Sequence, residues 1–155
     1  MKIKSPAKLN LHLEVIKKRT DGFHELRTVF QLIDLYDEIE FKLTNKEIDL
    51  VESPFPIKDN LILKAAHLLK KITQTSQGAT IFLDKKIPME KGLGGGSSNA
   101  ATTLIALNKL WGTQLKKEKL MEIGLELGSD IPFFIHSKNT WAEGRGYINN
   151  NPFQK

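Results

Sequence analysis

The chain opens on an alternation. In residues 2–15, KIKSPAKLNLHLEV, Ile3, Ala7, Leu9, Leu11, Leu13 and Val15 fall on one parity, and Lys2, Lys4, Lys8, Asn10, His12 and Glu14 fall on the other. A period of two is the spacing of a strand with one apolar and one polar face. The chain must therefore begin in a sheet that other elements cover on one side. Pro6 interrupts the pattern, which a strand tolerates at an edge or a break. The covering layer is legible further on. Residues 60–73 carry Leu61, Ala65, Leu68 and Ile72 on one helical stripe, widened by Ile62, Ala66 and Leu69. Asp59 or Asn60 is placed to cap that helix. A second stripe, Ala100, Leu104, Leu107 and Trp111, runs from Ser98 to Trp111 and stops at Gly112. A third helix is expected over 117–127. Two short strands are expected within 28–43, joined near Leu35 and Tyr36, with others in EIDLVE and over 79–84. GSDIPFFI has the look of an apolar strand, and the tail GRGYINNNPFQK is polar and weakly patterned. Strands and helices mixed without regular βαβ alternation predict an α+β fold.

The chain has 155 residues, enough for one domain, or for one and part of another. Apolar residues at 40% and charged residues at 26% fit a folded soluble protein. Apolar runs are short and broken by charge, and the lysine-rich start does not resemble a signal peptide, so no membrane partner and a cytoplasmic setting are expected. The absence of cysteine rules out disulfides and thiolate metal sites. His12, His67 and His136 have no neighbours that suggest a metal, and no metal ligand is assigned. Lys and Arg exceed Asp and Glu by 23 to 18, a net charge of +5. That excess favours an anionic ligand, and it equally describes a lysine-rich solvated surface. No basic block with interleaved aromatics points to a nucleic acid.

The stretch with the most chemistry is GLGGGSSNAA, residues 92–101. It fails the pattern G-x-x-x-x-G-K-[ST], and it fails G-x-G-x-x-G because position 97 is serine. Its physics still suits a phosphate. Gly92, Gly94, Gly95 and Gly96 permit positive φ and a close backbone approach, Ser97 or Ser98 can cap the following helix, and the free N–H groups of a helix start favour an anion. A flexible turn before an ordinary capped helix remains the alternative.

Four segments, SPAKLNLHL (5–13), RTDGFHEL (19–26), IPMEKGLGGGSSNAATTLIALN (87–108) and LGSDIPFF (127–134), resemble the GHMP small-molecule kinases in order and spacing, and DNLILKAAHLL (59–69) fits as well. The match is most specific to the branch that uses ATP to phosphorylate the tertiary 2-hydroxyl of 4-diphosphocytidyl-2-C-methyl-D-erythritol in non-mevalonate isoprenoid synthesis. The resemblance implies a two-layer GHMP-kinase N-terminal domain, ribosomal-protein-S5-domain-2-like, over residues 1–146, with 147–155 as an atypical tail. Relatives continue into a second domain, so the C-terminal GHMP domain is expected to be absent here. By the same resemblance Asp130 is the catalytic base and Lys8 the catalytic lysine. Asn10, Phe23 and His24 bind the substrate, with Phe23 stacking on the cytosine and His24 hydrogen-bonding it. Gly92, Gly94, Gly95, Gly96, Ser97 and Ser98 hold the ATP phosphates, while Asn60 and Lys85 or Lys86 shape the adenine pocket. ATP and Mg²⁺ are implied, without assignable metal ligands. Glu90 and Lys91 depart from the family, which usually has small residues there. Competing readings are a non-catalytic nucleotide-binding fragment, a GHMP kinase for mevalonate or homoserine, and, by fold analogy, an RNA-binding module.

Overall fold

A computed structural model of the chain describes residues 1–18, 24–45, 47–53, 59–138, 140–144 and 147–149. The elements are β1 (Lys2–Lys18), β2 (His24–Thr44), β3 (Ile48–Ser53), α1 (Leu61–Thr73), β4 (Gly78–Asp84), α2 (Gly95–Leu110), α3 (Lys117–Leu127), α4 (Ile131–His136), β5 (Thr140–Gly144) and β6 (Tyr147–Asn149). They make the expected two-layer α+β fold, a mixed sheet sharing one core with the helices. β2 is the spine. β1 runs along one of its edges, and the other edge takes β4 over Glu38–Thr44 and β5 over Leu26–Phe30. β3 lies parallel to β4, joined to it through α1, the kind of crossover that parallel neighbours require. Phe30, Ile39 and Phe41 of β2 and Ile81 and Leu83 of β4 are buried against Ile62, Ala65 and Leu69 of α1 and Ala100, Leu104 and Leu107 of α2.

The pair of short strands expected in 28–43 is one continuous strand with an irregularity where the junction was placed. Pro6 pairs with Tyr36, but Ala7 pairs with Ile33, so Asp34 and Leu35 have no partner in β1. Such an irregularity bends and twists a strand locally. The parity of β1 is corrected as well. Ser5 and Ala7 are buried on the apolar parity, but Lys8, on the polar one, is only 4% exposed, while Leu9 and Leu11 are 42% and 60% exposed. The structure thus turns the lysine inward and the leucines outward.

α1 starts where expected, with Asn60 as its cap: its Oδ1 accepts from Ile62 N–H at 2.9 Å. α2 begins three residues before Ser98, inside the glycine run. Its cap is Gly94 in the left-handed region, and neither Ser97 nor Ser98 caps it. Ser98 is instead buried, its Oγ 2.8 Å from that of Ser5 on β1. Residues 131–136 form a helix, where the apolar run suggested a strand. Ile131 to Ile135 are all buried, so this short helix shows no amphipathic period to separate it from a strand. β5, just ahead of the weakly patterned tail, pairs with β2, and within the tail β6 carries the sheet past residue 146.

Candidate active site

The glycine segment is pinned at its middle and its end. Lys8 N–H, on β1, donates to the Leu93 carbonyl at 3.0 Å. Gly94 then turns with φ +71° into α2, whose first helical bond runs from Ser98 N–H to the Gly94 carbonyl at 2.8 Å. The amides of Gly95, Gly96 and Ser97 therefore have no partner within the helix, and they carry the positive end of a 16-residue helix. A cleft of about 400 Å³ lies over them, lined by residues 88–97, Asn99, Lys85 and Asp59, Asn60 and Leu61 at the start of α1. Gly94 and Gly95 also keep this floor thin. A Cβ on Gly94 would come 2.9 Å from the Phe134 ring, and one on Gly95 would come 3.0 Å from Lys85 Nζ. Glu90 lines the cleft at φ +58°, a conformation that favours glycine.

Beside the loop lies an acid–base pair. Lys8 Nζ donates to Asn10 Oδ1 at 3.0 Å, stands 3.4 Å from Asp130 Oδ2 and sits 5.0 Å over the Phe30 ring. The lysine is buried and the aspartate is about a third exposed, so the carboxylate is the member open to a ligand. Asp130 occupies the N-cap position of α4, yet its side chain makes no capping bond there. Its position depends on how closely α4 approaches α3, and Gly124 permits that approach: a Cβ there would lie 2.7 Å from Ile131 Cγ2.

With this geometry in hand, the chain can be set against known proteins. The family described as GHMP kinases N terminal domain matches residues 60–138, about half of the chain. The chain belongs to the GHMP kinases. A 4-diphosphocytidyl-2-C-methyl-D-erythritol kinase of Shewanella sp. (strain W3-18-1) is 53% identical over 146 residues, covering 92% of this chain and 51% of the relative. A crystal structure of 4-(cytidine 5'-diphospho)-2C-methyl-D-erythritol kinase superposes with a TM-score of 0.83 at 35% identity, over 96% of this chain and 54% of that one. The mevalonate kinase of Methanococcus jannaschii shares the fold, with a TM-score of 0.70 at 18% identity over 97% of this chain and 55% of that one. The chain spans about half the length of the curated relatives it matches.

Within this GHMP fold, Lys8, Asn10 and Asp130 converge, and Asn60, Lys85, Gly92, Gly94, Gly95, Gly96 and Ser97 line one cleft. Ser98 and Lys86 do not join them. Ser98 is enclosed between α2 and β1. Phe23 lies outside the described residues, and His24 is described only in its backbone, paired with Lys18. Of the two lysines left open by the sequence, Lys85 faces the cleft. Lys86 points to the surface, where Glu38 holds its ammonium at 2.7 Å and raises its pKa. Asp37, Leu93 and Gly124 were not singled out from sequence. Only Asp37 had a signal, an acidic residue on what proves to be the buried parity of β2.

Proposed function

We propose that this chain carries the ATP-binding and proton-accepting side of a kinase that phosphorylates the 2-hydroxyl of 4-diphosphocytidyl-2-C-methyl-D-erythritol. The observation that carries the proposal is the Lys8–Asp130 pair, 3.4 Å apart and joined through Lys8 N–H to the glycine loop. The ATP phosphates lie on the amides of Gly95, Gly96 and Ser97, with Gly92, Gly94 and Ser98 shaping the turn. Asp130 takes the proton of the attacking hydroxyl, and the Lys8 ammonium beside it faces the charge that develops on the reacting oxygens. Asn10 orients Lys8 and the substrate, and Phe23 and His24 recognise the cytosine. Asn60 and Lys85 border the adenine side, with Lys86 outside it. When bound with the nucleotide, Mg²⁺ would neutralise charge on the phosphates. Among the described residues no three acidic or histidine side chains gather to cage a metal, which suits an ion held chiefly by the nucleotide. A cytoplasmic setting is proposed with this chemistry; no helix among the described residues is long and apolar enough to cross a membrane.

A second reading, a nucleotide-binding unit without turnover, needs only the glycine loop and the cleft over it. Phosphate transfer from labelled ATP to the cytidyl-erythritol substrate separates the two. We expect transfer by the chain, and a loss of at least about 100-fold in Asp130→Asn with nucleotide affinity kept. Nucleotide binding with no transfer selects the second reading; full transfer by Asp130→Asn removes Asp130 as the base.

A further inference from the structure

The most completely satisfied charged group among the described residues is one that the phosphotransfer scheme does not use. Asp37 has no solvent exposure. Its Oδ1 accepts from the backbone amides of Lys86 and Ile87, each at 2.7 Å. Its Oδ2 accepts from Lys85 Nζ at 2.8 Å and from Asn99 Nδ2 at 2.9 Å. A carboxylate has about four acceptor positions and no donor, so these four bonds fill it. An amide at this place would turn an N–H₂ group against two of the four donors.

The positions of those donors matter more than their number. Lys86 and Ile87 lie where the chain leaves β4 for the glycine segment. Asn99 is in the second turn of α2, where the chain leaves that segment again. Lys85 Nζ, also bonded to the Ile87 carbonyl at 3.0 Å, lies 3.0 Å from the place of a Cβ on Gly95. One carboxylate therefore grips both shoulders of the loop and a cation beside its helix start. It also fixes the Asn99 amide, whose Nδ2 must face Asp37 and whose buried Oδ1 has no partner among the described residues. A buried ion pair is poor evidence for stability, since well-packed apolar residues often serve a fold as well. Its use in setting a geometry is better founded.

We propose that Asp37 is the positioning residue of the nucleotide loop: it fixes the entry and exit of the glycine segment at one separation and holds the Lys85 ammonium against the start of α2. The proposal rests on the reading of that loop as the ATP-phosphate site.

The test is calorimetric titration of the 155-residue chain with Mg-ATP, for wild type, Asp37→Asn, Lys85→Met, the double variant, and Ile123→Ala as a core variant remote from the loop. At a temperature where each is folded by circular dichroism, Asp37→Asn should bind at least about tenfold more weakly, and Ile123→Ala within about twofold of wild type. Because the two residues act as a unit, the double variant should be no more than about twofold weaker than the worse single variant. Binding by Asp37→Asn within twofold of wild type, or losses that multiply in full, overturns the proposal. Should Asp37→Asn not fold, Asn99→Ala removes one arm of the grip. It should weaken binding by about threefold or more and speed amide hydrogen exchange over residues 88–97; no change in either overturns the proposal. If wild type binds no Mg-ATP, the nucleotide reading falls by itself. Hydrogen exchange over 88–97 then decides on Asp37 (or on Asn99→Ala in its place): faster exchange than in Ile123→Ala supports the grip, and equal exchange refutes it.

Discussion

Gly92 and Gly94 share a φ of +71° but not their surroundings. A Cβ on Gly92 would meet nothing within 4 Å, whereas one on Gly94 would press on the Phe134 ring at 2.9 Å and on Lys8 Cε at 3.1 Å. Conformational strain alone should make Gly92→Ala cost about 1–2 kcal/mol. Gly94→Ala should cost that and about 1–3 kcal/mol more for overpacking. Relief of the clash would displace Lys8 or Phe134, so Gly94→Ala should also disturb the Lys8–Asp130 pair while Gly92→Ala leaves it in place. Urea unfolding of the two variants measures the difference, and equal losses would show that the space around Gly94 is softer than it looks.

At the scale of elements, β1 teaches the most about what the chain discloses. Its existence, and those of β3, β4 and the first three helices, follow from apolar spacing, because a period of two or of 3.6 survives whatever the element packs against. Which face of β1 is covered does not follow. Strict alternation put Leu9 and Leu11 inside, but the bulge at Asp34 and Leu35 arises from the pairing of two strands, and no residue of β1 announces it except Pro6. Lys8 lies inside, beside Asp130, so the sequence pointed to both residues but not to the covered face on which they meet. α4 was hidden for the opposite reason: burial on every side leaves an apolar run with no period. The loop's turn was legible from its glycines, but the grip of Asp37 on it depends on contacts 48 to 62 residues apart. A prediction separates the parity view from the structure. Leu9→Thr and Leu11→Thr should each change stability by no more than about 0.5 kcal/mol, as exposed sites do. If these leucines faced the core, each would cost about 2–5 kcal/mol in thermal or urea unfolding.

Across the whole molecule, one junction of β2 with β4 is clasped on both faces. Asp37 and Lys85 pair at 2.8 Å on the side toward the helices and the cleft; their successors, Glu38 and Lys86, pair at 2.7 Å on the surface. Two adjacent acid–base pairs thus face opposite ways, one toward the cleft and one toward the solvent. Glu38 also bonds Lys2, at 2.6 Å, so its carboxylate ties β1 and the segment just after β4 to β2. These hydrogen bonds, Lys2 first and Lys86 second, lower its pKa from the ordinary 4.5 to about 2. A carboxyl with a lowered pKa in the folded state lends stability that is present in full above its unfolded value. That stability is lost as pH falls through the folded value. Stability of the wild type should therefore decline between about pH 4.5 and 2 in part through Glu38. Glu38→Gln should be the less stable protein at pH 7, should show a shallower decline over that window, and should approach wild type near pH 2. Urea midpoints collected at a series of pH values test this. Two curves that stay parallel from pH 4.5 to 2 would mean that the outer pair is only a solvated contact, and that the inner Asp37–Lys85 pair alone ties this junction.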